Sequence, residues 1–149
     1  MLPRYHIIVG FIASLSIHYF FQTTPLETLI IFLASFLMDI DHYLFYIYEK
    51  KDFSVKKSMK YFVDGRNHWL TLSPKEKKKH KKPIFIFHGI EFWLIILILT
   101  QLTYSFWFVL LGFLIHMILD WIDFIIIGDP LIDKFSQIYV YVENLGKKS

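Results

Sequence analysis

The side chains able to do chemistry in this sequence sit where the surroundings are apolar. Long hydrophobic runs carry His6 and His18, then Asp39, Asp41 and His42, then His88 and Glu91, then His116, Asp120 and Asp123. All are Asp, Glu or His, and none is Lys or Arg. An ionisable group in such a run is costly unless it is paired or bound. Carboxylate oxygens and imidazole nitrogens are ligands for divalent metals. Bare carboxylates gathered together repel one another, and a cation is the simplest way to hold them in a low dielectric.

Spacing groups these residues. Asp39 and His42 are i,i+3, His88 and Glu91 are i,i+3, and His116 and Asp120 are i,i+4. On helices each pair shares a face, the device by which bundles build carboxylate–histidine metal sites. Asp41 falls off the Asp39 face of an ideal helix. It joins only if the helix unwinds there, or it serves as an outer partner that orients the ligands. A metal-free polar network is the structural reading of the same set. His18 reads as a packing or hairpin-contact histidine, Asp123 as a solvated residue near the boundary, and His68 and His80 as surface residues.

Four apolar stretches must position these groups: roughly 6–21, 26–48, 84–100 and 106–127. A bilayer-spanning helix needs about 20 residues, so the expected fold is all-α, an integral membrane bundle of four transmembrane helices. Short links, Gln22-Thr23-Thr24-Pro25 and Gln101-Leu102-Thr103-Tyr104-Ser105, pair them into two helical hairpins. Between the hairpins lies a basic loop, Glu49 to Pro83, with twelve of the sixteen Lys and Arg residues. Arg4 precedes the first span, and Lys134, Lys147 and Lys148 follow the fourth. With four spans every basic residue falls on one side, which the positive-inside rule makes the cytoplasm. Both termini are then cytoplasmic, in the inner membrane. Within this frame the paired residues and His6 lie within about 16 Å of the cytoplasmic boundary, and His18 lies about 18 Å further out than His6.

Composition agrees. The chain has 149 residues, 55% hydrophobic and 19% charged, with no cysteine, and its mean hydropathy is +0.44. This excludes disorder, a coiled coil, a disulfide scaffold, thiolate zinc sites and cysteine nucleophiles. Residues 1–149 read as a single membrane domain, with 49–83 a solvated cytoplasmic loop resting on anionic headgroups rather than a nucleic-acid site. Met-Leu-Pro-Arg is a weak signal-peptide n-region and no small-residue cleavage site follows. Ser73-Pro74-Lys75-Glu76 predicts a helix start, with Ser73 as N-cap and Glu76 at N3, leading towards the third span. Pro130 to Gly146 reads as a surface-lying helix.

His6-x3-Gly10, Asp39-x-Asp41-His42 and His116-x3-Asp120 together resemble the membrane-bound metal-dependent hydrolase family, the LexA-binding, inner-membrane-associated hydrolases. That family is related to the zinc-dependent phospholipase C and P1 nuclease superfamily, and the resemblance covers His6 to about Pro130. Met38 stands where the family usually has Pro. The His-Arg-Gly-x-Thr-His-Ser segment is absent as such, and His88-Gly89-Ile90-Glu91 takes roughly its place. The resemblance implies two or three divalent ions, zinc or alternatively manganese, on His6, Asp39, Asp41, His42, His88, Glu91, His116 and Asp120. Glu91 or Asp41 is the candidate general base. The expected reaction is hydrolysis of a phosphate ester, phospholipid-like, at the cytoplasmic leaflet.

Two other readings stay open. A divalent-metal or proton transporter also uses intramembrane Asp, Glu and His, although the outer halves of spans two to four are almost purely apolar. Four spans are few for a transporter unless the chain forms a homo-oligomer. A non-catalytic membrane module with a structural metal is the third, although eight candidate ligands exceed what one structural zinc needs. The expected partner is membrane lipid, as substrate or surroundings, with no nucleic acid.

Overall fold

In a computed structural model, residues 3–147 are described, and every regular element among them is helical. Lys148 of the expected basic set and Met1-Leu2 of the weak n-region lie outside the described residues. Helix α1 (Pro3–Phe21) starts on a proline, whose missing N–H and fixed φ suit the first turn. Helix α2 (Pro25–Leu37) starts on a capping box, with Thr24 accepting from the Glu27 N–H and the Glu27 carboxylate accepting from the Thr24 N–H. Gly10 meets Ser35 and His18 meets Thr28, so α1 and α2 are antiparallel.

The second apolar stretch breaks at Met38–Asp39 and resumes as α3 (Ile40–Lys50). Around the break the amides of Asp39, Asp41 and His42 bond to the carbonyls of Phe36, Met38 and Asp39. These i→i−3 bonds tighten the turn. Asp39 and Asp41 then both reach the same cluster, the unwinding that Asp41 needed.

Helix α4 (Val55–Thr71) and the single turn α5 (Pro74–Lys77) occupy the basic segment. Ser73 and Glu76 form the expected capping box. The helix does not continue into the third apolar stretch. It stops, and an irregular segment leads to a 3₁₀ turn, Ile86–His88. Helix α6 (Ile90–Leu99) is only 10 residues, about 15 Å long at 1.5 Å per residue, so the helix expected from Ile84 begins late. Helix α7 (Ser105–Ile127) runs through the middle of the bundle. The expected C-terminal helix is split at Ser136, whose backbone is extended, into α8 (Ile132–Phe135) and α9 (Gln137–Leu145).

The basic segment is not a free loop. Arg66 donates two hydrogen bonds to Asp123, at 2.6 and 2.8 Å. Asp123, expected to be solvated, is buried by this pairing. Lys77 and the Trp69 indole both donate to Asp129. Lys82 bonds Asp133 and Glu143. Burial opposes charge on Lys82, but those two carboxylates outweigh it and hold the ammonium above the ordinary lysine range. Acidic groups just beyond α7 thus convert a lysine-rich segment into a strap.

Ala34, Met38, Ile96, Phe113 and Met117 form the apolar core between α2, α6 and α7. Helices α2 and α7 approach closely because position 112 is glycine: a Cβ there would sit 2.5 Å from the Ile31 carbonyl oxygen and 2.6 Å from the Ala34 Cβ. Small residues at such crossings are how apolar-faced helices pack without a hydrophobic driving force between them. Burial is inverted relative to a water-soluble domain. The buried set among the described residues holds His6, Asp41, His88, His116, Asp120 and Lys134, while large apolar side chains of α1, α6 and α7 face outward. Among the described residues two stretches, Pro25–Lys50 and Ser105–Ile127, are long and apolar enough to cross a membrane.

Candidate metal centre

Four separate segments deliver the cluster. Helix α1 supplies His6 from its first turns. The break between α2 and α3 supplies Asp39, and the first turn of α3 supplies Asp41 and His42. The 3₁₀ turn supplies His88, and α7 supplies His116 and Asp120. His6, His88 and His116 are fully buried, Asp120 nearly so. Three overlapping sets could hold a metal ion: His6, Asp39 and His116; Asp39, His42 and His88; His88, His116 and Asp120. Within each set the ligand atoms lie within 4.8 Å of one another.

The hydrogen bonds determine which ring nitrogens face inward. His116 Nδ1 lies 2.9 Å from the Ser35 carbonyl oxygen. A carbonyl only accepts, so Nδ1 carries the proton and Nε2 of the neutral ring carries a lone pair. His88 Nδ1 likewise donates to Asp41 Oδ2 at 3.0 Å. His88 Nε2 and His116 Nε2 then point lone pair to lone pair across 3.1 Å. Two neutral imidazoles in this arrangement repel, and a proton or a metal ion at the contact relieves it. Asp39 Oδ1 lies 3.6 Å from both of these nitrogens, and Asp120 Oδ2 lies 3.6 Å from both. Ligands about 2.0–2.2 Å from a tetrahedral ion are separated by about 3.3–3.6 Å. In each carboxylate–imidazole triangle the two carboxylate edges have that length, and the imidazole edge, at 3.1 Å, is slightly shorter.

Two further observations suit a cation. His6 is stacked on His116, with ring centroids 3.9 Å apart. Neither His6 nitrogen makes a hydrogen bond with a described residue, and Nε2 stands 3.4 Å from Asp120 Oδ1. Asp39 Oδ2 is also buried without a hydrogen-bond partner. A buried polar atom left unsatisfied is destabilising by about 1–3 kcal/mol. The donor set present therefore fits a divalent ion.

Asp41 has a different part. Its Oδ1 accepts from His42 Nδ1 at 2.8 Å, and its Oδ2 accepts from His88 and from the Phe87 amide, both at 3.0 Å. Both oxygens are engaged in aiming rings, the carboxylate–histidine arrangement that orients metal ligands. His42 is held further by stacking on Phe85, centroids 3.7 Å apart.

Glu91 is not brought to the cluster. Gly89, in an extended conformation, separates the 3₁₀ turn from α6, so His88 and Glu91 do not share a helix face. The Glu91 carboxylate instead accepts from Ser136 Oγ and from the Gln137 and Ile138 amides. It caps α9, where free N–H groups and the helix dipole favour an anion.

Sequence reasoning missed Lys134. It had counted only as a positive-inside charge, yet it is buried and its ammonium lies 2.6 Å from Asp120 Oδ2. No spacing signal marks it, because a four-residue helix carries it back to the bundle. His18 stays apart: its Nδ1 is 2.6 Å from the Thr23 carbonyl oxygen and 3.2 Å from Thr28 Oγ1, both hairpin contacts. His68 and His80 face each other outside the cluster, ring centroids 6.5 Å apart. No family model matches this sequence, and no curated protein or solved structure matches it either.

Proposed function

We propose that the protein is a four-span integral membrane hydrolase. It uses divalent metal, zinc in the first instance, to cleave a phosphate ester of lipid type at the cytoplasmic leaflet. The single observation that carries the metal is the pair of facing His88 and His116 Nε2 atoms, 3.1 Å apart with their other nitrogens committed to Asp41 and Ser35. The inverted burial supports the membrane setting. The four-span topology rests on the sequence pattern that puts all sixteen basic residues on one side, with α1 and the apolar stretch 84–100 as the further spans; α6 covers only about 15 Å of that stretch. The resemblance in His6-x3-Gly10, Asp39-x-Asp41-His42 and His116-x3-Asp120 supports the hydrolase class.

A bound divalent ion supplies a water acidified towards a pKa of about 7 and neutralises charge on phosphate oxygens. The chain's own residues do the rest. His6, Asp39, His42, His88, His116 and Asp120 would hold the ions, and Asp39 belongs to two of the three ligand sets. Asp41 fixes the His42 and His88 rings. Asp39 Oδ2, unengaged and buried, accepts the proton of the attacking water. Water adds to phosphorus as the ester P–O bond breaks, and the leaving alcohol takes the proton that Asp39 accepted, which restores the carboxylate.

Elemental analysis of detergent-purified wild type beside Asp39→Ala and His116→Ala tests the reading. Two or more zinc or manganese ions per chain, lost in both variants, support it, as does cleavage of a phospholipid or generic phosphodiester by wild type alone. Full metal occupancy with no cleavage of either removes the hydrolase. One observation favours a second reading, a metal-free polar network: Lys134 already places a cation on Asp120. A well-folded wild type without metal would select it.

A further inference from the structure

Lys134 is the one described lysine whose ammonium enters the cluster. It reaches Asp120 Oδ2 at 2.6 Å from α8, a turn that follows α7 by a short link. Aromatic faces line its approach, with Phe85 and Phe124 ring centroids 5.6 and 5.7 Å from Nζ. These rings tolerate an ammonium but accept no ionic bond from it. Asp120 Oδ2 is also the carboxylate oxygen 3.6 Å from both His88 Nε2 and His116 Nε2. A dication held by that oxygen would compete with the ammonium for its charge.

We infer that Lys134 is an exchangeable counter-ion and the substrate-anion site of this centre. It neutralises Asp120 when the metal is away, and it turns to the phosphate oxygens of an ester once the metal has taken Asp120. The inference rests on the metal-dependent reading above and names the anionic group the site receives. A buried ammonium displaced from its carboxylate must find another anion or leave the apolar interior, and a phosphate beside the metal is the one the reaction brings. Phe85 and Phe124 keep water from taking that place. The link between α7 and α8 is short, so the ammonium stays within reach when it exchanges.

The test is titration of detergent-purified protein with zinc and then, on the zinc-loaded form, with inorganic phosphate and with a short-chain phosphatidic acid. Wild type is compared with Lys134→Met and Lys134→Arg. Lys134→Met should take zinc about tenfold more tightly, because the competing cation is gone, and bind the phosphate group about tenfold more weakly. Lys134→Arg should retain anion binding. Weakening confined to phosphatidic acid assigns a lipid headgroup, and weakening with both probes assigns the phosphate alone. Equal anion binding by wild type and Lys134→Met overturns the inference while leaving the metal centre standing. A wild type that takes no zinc overturns the metal centre, and this inference falls with it. If Lys134→Met does not fold, Lys134→Gln carries the same comparison.

Discussion

The two ends of the α1–α2 hairpin each hold a histidine, exposed at one end and fully buried at the other, and the two have opposite surroundings. At the link end, His18 is satisfied by Thr23 and Thr28, residues a few positions away. At the other end, His6 is fully buried, stacked on His116 and without a hydrogen bond. Its neighbours come from α7 and from the break between α2 and α3, far along the chain. A histidine that needs only a local partner is part of the hairpin. A histidine that finds only other ligands is part of a centre. Residue type is the same, and the difference is made by what the fold brings to it.

Experiments can break this comparison in order of effect. His88→Ala should be the most damaging, because it removes a nitrogen from two of the three ligand sets. Loss of nearly all bound metal is expected by elemental analysis, and chelator, expected to lower the thermal midpoint of wild type, should leave that of His88→Ala unchanged. Asp41→Asn keeps the ligands but loosens the aim of His42 and His88. Metal affinity should fall by about 10–100-fold rather than vanish, measured by competition with a chromophoric chelator. An unchanged affinity would deny Asp41 its orienting part.

Smaller effects probe the scaffold. Gly112→Val pushes a side chain into Ile31 and Ala34 of α2 and should destabilise the bundle by about 1–3 kcal/mol, read from unfolding in detergent. Glu91→Ala frees α9 by removing three accepted hydrogen bonds. Faster proteolysis after Ser136 is expected with metal content intact, and a loss of metal would place Glu91 back among the ligands. His18→Ala should be the mildest, about 0.5–1.5 kcal/mol for its hydrogen bonds and no change in metal. Equal metal loss in His18→Ala and His88→Ala would erase the distinction between the two ends.

Much of the centre was legible because helical spacing and hydropathy are local properties. The i,i+4 pair His116–Asp120 lies inside the long helix α7, where nothing interrupts the period, and both residues reach the cluster. The His88–Glu91 pair failed because spacing assumes a helix. Gly89 broke the helix, and α9 offered the Glu91 carboxylate a set of free amides. Asp41 was ambiguous for the same reason: its direction depended on whether the chain unwinds at Met38–Asp39. The basic segment misled in another way. Counting charge placed its lysines in solvent, and most of them are exposed, but Arg66, Lys77 and Lys82 are ion-paired to acidic groups at and beyond the end of α7.

The sequence by itself determined the all-helical architecture, the apolar stretches and the identity of the ionisable groups within them. Each follows from residue type and near-neighbour periodicity. Only the tertiary structure decided which oxygens and nitrogens face one another. It turned His88 Nε2 onto His116 Nε2, gave Asp41 to the rings and Glu91 to a helix end, and brought Lys134 onto Asp120. Those outcomes depend on breaks, caps and a returning C-terminal turn, whose geometry is set by partners distant in the chain.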